Sequence, residues 1–298
     1  MSGTVETAQR PDRAAGASGV LPRWPCGFDS RHPLSGGRQD PGGNPPAPEA
    51  VASVMADAPR GRVRVERSTK RVRTYLGGHL VADTTRPLLV WEVPYYPTYY
   101  LPASDVVAEL VPTSDSSHSP SRGDAEHLTV RVGDAEARDA AVRYPDSPIE
   151  DLRDHVRFEW TAMDAWFEEN EEVFTHVRSP YARIDILPTS RHVRVTLGDT
   201  VLAESTEAHA LFETGLPPRW YVPRVDVRMD LLGPSDTVTH CPYKGQAEHL
   251  SALVGDTEIK DVAWSYRAPL PESTRIAGLI AFYDDRVEVT VDGERQGG

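Results

Sequence analysis

Lysine is nearly missing from this sequence: Lys70, Lys244 and Lys260 are the only three, against 29 arginines. Cysteine is scarcer still. Cys26 and Cys241 cannot build a disulfide framework, and a reducing, cytoplasmic compartment fits two isolated thiols. No apolar run approaches the roughly 20 residues of a membrane helix, and the first residues lack the apolar core of a secretory signal. Basic charge is in deficit, with 32 Lys and Arg against 45 Asp and Glu and a net charge of -13, which argues against a nucleic-acid partner. The chain also has no glycine-rich phosphate loop, no Cys-x-x-Cys, no His-Glu-x-x-His and no serine elbow. These absences leave the cofactor unnamed and put the metal-enzyme and hydrolase classes in the background. A length of 298 residues still permits one large or two ordinary domains.

Residues 1–54 differ from the rest. They hold sixteen Gly or Pro, five acids and five arginines, so the whole negative charge lies downstream. Such a composition cannot offset the entropy of ordering, and disorder is the expected state. The stretch Gly27 to Pro33 back-translates to a sequence containing the TΨC-arm signature of a tRNA gene. This suggests a reading frame over-extended through such a gene, with the true start at Met55; a real disordered leader is the alternative. Either way residues 1–62 are read as a leader without function, and Cys26 goes with them.

Downstream, the chain repeats itself. Lys70 to Thr85 lies over Arg191 to Thr206 at an offset of 121, and the same offset pairs Glu92 with Glu213, Tyr100 with Tyr221, Asp105 with Asp226, and Ser114-Asp115 with Ser235-Asp236. After an insertion of one residue the offset becomes 122, pairing His118 with His240, Gly123 with Gly245, the Ala-Glu-His-Leu blocks ending at Leu128 and Leu250, and Tyr144 with Tyr266. Two copies of one domain follow, spanning 63–176 and 184–296, joined by a linker at 177–183.

Each copy reads as mainly β, an α+β fold with short helices in a compact sheet or barrel-like domain. Val193 to Ala203 alternates around Gly198-Asp199, a hairpin signal. Pro223 to Leu232 and Pro271 to Ile280 carry a proline at a first-turn position and apolar residues four apart, which predicts two short helices. Trp160, Met163, Trp166 and Phe167 form an apolar stripe at helical spacing, which predicts a third helix over 160–172, packed as a seam between the copies.

The blocks Ser235 to Gly245, Ala263 to Tyr266 and Ile276 to Tyr283 resemble the signature of a bacterial and fungal family designated domain of unknown function number 427. The resemblance covers about 64–295 in two copies, and the His240-Cys-Pro-Tyr-Lys-Gly245 block is its most specific part. It implies a compact, mainly β domain and, through a label attached to the family, nucleotidyltransferase-like chemistry.

That block is also the sharpest candidate site on chemical grounds. Pro242 fixes φ and removes a donor, and Gly245 can take positive φ, so the segment is a rigid turn presenting Tyr243 and Lys244. The first copy keeps His118, Pro120, a basic Arg122 and Gly123, but has Ser119 for Cys241 and Ser121 for Tyr243. Cys241, Tyr243 and Lys244 are therefore the candidate catalytic residues. As a nucleophile Cys241 needs a base or cation nearby; His240 is adjacent and points away in a strand, while His249 can return across the hairpin. The bland reading is a small buried apolar Cys. His240 with His249, helped by Glu248, is too small a set for a structural zinc, and no metal is assigned.

Anion binding suits the residues better. Arg219, Arg228 and Lys244 supply charge, Tyr221, Trp264 and Tyr266 supply rings, and Glu213, His240 and His249 complete the candidate ligand-binding set. The opposing reading pairs these cations with surface acids and packs the rings into β cores. Three functions follow: a protein that binds a small anionic or nucleotide-like molecule in its second copy, with nucleotidyltransferase-like activity as its enzymatic form; a non-catalytic scaffold for a protein partner; and a Cys241-dependent enzyme.

Overall fold

A computed structural model describes residues 63–255 and 257–297 of the chain; the leader at 1–62, Met55 and Cys26 lie outside the described residues. The first copy contributes eleven strands: β1 (Arg64–Arg67), β2 (Val72–Leu76), β3 (His79–Thr84), β4 (Leu88–Trp91), β5 (Thr98–Pro102), β6 (Glu109–Ser119), β7 (Gly123–Val132), β8 (Ala135–Arg143), β9 (His155–Phe158), β10 (Ala165–Glu168) and β11 (Glu171–Glu172). The second repeats them in order: β12 (Ile184–Pro188), β13 (Val193–Leu197), β14 (Thr200–Ser205), β15 (His209–Glu213), β16 (Arg219–Tyr221), β17 (Leu232–Cys241), β18 (Gly245–Val254), β19 (Thr257–Ser265), β20 (Ile280–Phe282), β21 (Glu288–Val291) and β22 (Glu294–Gln296). The mainly β reading and the duplication both hold.

In the first copy a seven-stranded sheet runs β1-β4-β5-β9-β8-β7-β6 beside a four-stranded sheet β11-β10-β2-β3. The second copy has β14-β13-β21-β22 as its four-stranded sheet. Its larger sheet is split into β12-β15-β16 and β17-β18-β19-β20, with the Val222–Ile280 bridge at the seam. These are open antiparallel sheets rather than a closed barrel. Alternation places the core: β2 is buried at Val72, Thr74 and Leu76, and β13 at Val193 and Val195. Val72, Leu101, Leu128, Phe158 and Trp166 fill the first core, and Val193, Leu202, Trp220, Ile280 and Val291 the second. The β2–β3 hairpin closes on Gly77-Gly78, both at positive φ. A Cβ on Gly77 would lie 2.4 Å from that of Ala135, so the tip must be glycine.

The pairing moves one repeat boundary. Pro112 faces Leu128 as Pro234 faces Leu250, so the offset is already 122 there. The insertion therefore precedes β17, in a one-turn 3-10 segment at Met229–Leu231, and Thr113-Ser114, not Ser114-Asp115, stands where Ser235-Asp236 stands.

The helical expectations give way to shorter pieces. Pro223 to Leu232 forms two single 3-10 turns, Arg224–Asp226 and Met229–Leu231, before entering β17. Pro271 does open a helix, but it is a 3-10 segment ending at Ile276, and Ile280 already belongs to β20. The largest correction is 160–172. Only Trp160–Ala162 turns; β10 then pairs with β2, and Glu169 at φ 52° reverses the chain into β11. Trp166 points inward while Phe167 packs edge-on against Tyr75 on the other face, an alternation of period two that four apolar residues cannot distinguish from a helical stripe. Met163 and Trp166 belong to the first copy's own core.

The seam between the copies is the connection itself. Tyr181 stacks near Trp91 and under the Arg64 guanidinium, and its hydroxyl donates to Glu66. On the other side Phe174 stacks on His240 at 4.7 Å, and Ser179 N donates to the Tyr243 hydroxyl at 2.7 Å.

Candidate functional site

The rigid turn forms as its residues dictate. Cys241 pairs with Gly245 across the hairpin, and Gly245 adopts φ 93°, a conformation a side chain would strain. The Lys244 carbonyl accepts Leu270 N at 3.1 Å and the Tyr243 carbonyl accepts the Ser273 hydroxyl at 3.2 Å, so the turn is tied to the 3-10 segment beneath it.

Lys244 points inward. Its Nζ lies 2.5 Å from Glu213 Oε2, and the two side chains are only 12% and 11% exposed. Burial alone would lower the ammonium's pKa; the nearby Cys241 and Glu213 outweigh it and raise the pKa above the ordinary lysine value. Beside this pair, Cys241, Tyr221, Trp264 and Tyr266 share one buried apolar cluster, with Tyr243 and Tyr283 packed on its edge. Tyr221 is buried, its hydroxyl receives Trp264 Nε1–H at 3.3 Å, and burial pushes its pKa up to about 12. Tyr243 sits half-buried with its hydroxyl accepting the linker amide, and burial raises its pKa as well.

The other candidates are distributed around this centre. Arg219 is paired with Asp284 at 2.8 Å, its guanidinium 5.9 Å from the Trp264 ring, so it borders the cluster. Arg228 is exposed and paired with Asp230 on the surface, away from the rings. His240 turns outward to Phe174, as the strand alternation required. His249 is buried and does not meet Cys241. Its Nδ1–H donates to the Thr237 carbonyl at 3.2 Å, which leaves Nε2 to accept from the Tyr283 hydroxyl at 3.0 Å. Among the described residues no group of three or more His, Cys, Asp or Glu is gathered to hold a metal.

One residue escaped the sequence reading. His176, on the connection between the copies, stacks on Tyr96 at 4.0 Å and stands edge-on to Tyr243. Its Nδ1–H donates to the Val177 carbonyl at 2.9 Å, and Glu213 is close enough to act on its charge. A lone histidine in an irregular connection carries no motif, so only the fold could place it there.

Burial pulls the pKa values of His155, His176 and His249 below the ordinary 6.5. The unfolded chain then binds more protons than the folded one as pH falls through that value, so stability present above 6.5 is lost below it. Urea midpoints on either side of pH 6.5 are expected to show this loss, and His249→Gln to flatten it.

The first copy holds the same frame with other groups: Glu92 for Glu213, Arg122 for Lys244, Tyr100 for Tyr221 and Tyr144 for Tyr266, against a matching cluster of Val90, Ala125, Val142 and Leu152. A hollow of about 280 Å³ opens next to Asp284, lined by Thr196, Gly198, Asp285, Arg286 and Arg295 among others.

The sequence pattern of a family described as "Domain of unknown function (DUF427)" matches this chain twice, over residues 64–169 and 185–293. The connection carrying His176, Ser179 and Tyr181 falls between the two matches. No curated protein matches the chain.

Proposed function

The chain belongs to the DUF427 family, in two tandem copies, and from that premise we propose that its second copy binds a small anionic, nucleotide-like molecule at the Cys241–Gly245 turn. The observation that carries this reading is the nearly buried Lys244–Glu213 pair at the tip of a rigid turn, beside an aromatic cluster. A buried ion pair contributes little more to stability than apolar groups of the same volume, so its presence favours a role beyond folding. An incoming phosphate or carboxylate takes the place of Glu213 at Lys244. Arg219, released from Asp284, supplies the second charge at the rim. Tyr243 and the edge of Trp264 meet the ring of the ligand, while Tyr221 is too deep to touch it and holds Trp264 in place. A nucleoside phosphate satisfies both the charge and the rings, in keeping with the nucleotidyltransferase-like label of the family.

Thermal shift of the full chain against nucleotides, sugar phosphates and carboxylates, with and without Mg²⁺, tests this. A ligand at 100 times its dissociation constant adds about 2.7 kcal/mol. That shift is expected to vanish in Lys244→Ala and to shrink in Tyr243→Phe. A blank screen on folded protein would overturn the reading in favour of the protein-interaction scaffold.

A further inference from the structure

In the first copy a second, largely buried cation joins the carboxylate of this frame. Arg157 on β9 faces Val142 on β8, just as Ala281 on β20 faces Trp264 on β19, so Arg157 stands where the second copy has alanine. Its guanidinium and that of Arg122 converge on one carboxylate. Arg122 Nη2 lies 3.7 Å from Glu92 Oε2 and Arg157 Nε lies 3.8 Å from Glu92 Oε1. Both separations exceed a hydrogen bond. Glu92 Oε1 is already engaged by the Tyr100 hydroxyl at 2.6 Å. The Nε atoms of Arg122 and Arg157 are both buried without a hydrogen-bond partner.

The remaining neighbours do not close this account. Arg122 meets Tyr144, whose hydroxyl accepts from its guanidinium and whose ring centre is 5.2 Å away, which leaves Nε unused, and Arg157 Nη2 approaches the partly exposed Glu159 at 3.4 Å. The side chains of Arg122, Arg157 and Glu92 are 15%, 23% and 18% exposed, so the cluster is desolvated yet reachable. The second copy, with one cation and one carboxylate, closes to 2.5 Å. Two guanidinium forks held off a shared carboxylate, with buried donors unused, are arranged for an anion that takes two parallel hydrogen bonds from each.

We propose that Arg122, Arg157 and Glu92 form a second binding site, in the first copy, for a small oxyanion: a phosphate or carboxylate group. The arginines supply charge and geometry, and Glu92 sets the spacing of the two forks while weakening the site by repulsion. Ser119 and Ser121, on the same turn, offer hydroxyls at the rim. This inference does not rest on the reading of the second copy.

The test is calorimetric titration of inorganic phosphate and, separately, acetate into the full chain at constant ionic strength, with wild type, Arg157→Ala, Glu92→Gln and Lys244→Ala compared. Saturable binding is expected in wild type and in Lys244→Ala, and about tenfold weaker binding in Arg157→Ala. Glu92→Gln is expected to bind more tightly, since it removes the repelling charge, and a gain of affinity cannot come from misfolding. Should Arg157→Ala fail to fold, Arg157→Lys keeps the charge, loses the fork and is expected to bind more weakly than wild type. A preference for phosphate identifies a tetrahedral group as the natural ligand, and a preference for acetate a planar one. No saturable binding of either anion in Lys244→Ala, or equal binding when Arg157→Ala is added to it, would overturn the proposal, and because Lys244 is removed in both, neither result would bear on the Lys244 site.

Discussion

Glu213→Ala is expected to destabilise the second copy by about 3–5 kcal/mol, the usual cost of stranding a buried charge. Lys244 is 12% exposed and Glu213 is its 2.5 Å partner, so the variant leaves an ammonium in an apolar cluster with Cys241 and Tyr221 for company. The sign of the pH dependence follows. Without Glu213 the folded-state pKa of Lys244 drops under burial, the unfolded chain binds the extra proton, and the deficit narrows as pH rises. Replacing both partners, as Glu213→Leu with Lys244→Met, removes the stranded charge and is expected to bring stability back to within about 1 kcal/mol of the wild type. Urea unfolding of the three proteins decides between these outcomes. A Glu213→Ala variant as stable as the wild type would mean that water reaches the pair, and the case for a desolvated anion site in the second copy would fall with it.

The same pair marks how far residue order alone reaches. Glu213 and Lys244 were both candidates, one from the repeat and one from the scarcity of lysine, but nothing in the sequence joined residues 31 apart. The β15 strand and the β17–β18 turn do that, through register. Cys241, Tyr221, Trp264 and Tyr266 also met as a cluster: the first three sit on β17, β16 and β19, and Tyr266 follows two residues after Trp264, just past the end of β19. Arg228 and His240 did not: His240 takes the outward position that alternation with Cys241 gives it, and Arg228 lies between two 3-10 turns where the expected helix does not form. Repeat matching located the hairpins but slipped by one residue at Ser114-Asp115, because the offset of 121 gives two chance identities with Ser235-Asp236 there and the offset of 122 set by strand pairing gives none. His176, Arg157 and the pairing of Glu92 with two arginines were illegible. Their partners come from separate strands or the linker, and no spacing rule links them.

The misread stretch at 160–172 carries the second large effect. Trp166→Ala is expected to cost about 3–5 kcal/mol, the range for truncating a buried aromatic in a core that relaxes only in part. Trp166 is 3% exposed, stacks on Trp160 at 4.6 Å with the rings 4° from parallel, and gives its Nε1–H to the Trp160 carbonyl at 3.3 Å. Its removal leaves a void against Val72, Tyr99 and Phe158 and takes the stacking partner from Trp160. The loss falls on the first copy alone, because Val289 on β21 occupies this place opposite β13, as Trp166 does opposite β2. Two outcomes of urea unfolding then separate two pictures of the molecule. If only one of two transitions moves, the copies fold as independent units. If a single transition moves as a whole, the contacts of Phe174, Ser179 and Tyr181 with both copies couple them, and Tyr181→Ala should split that transition in two.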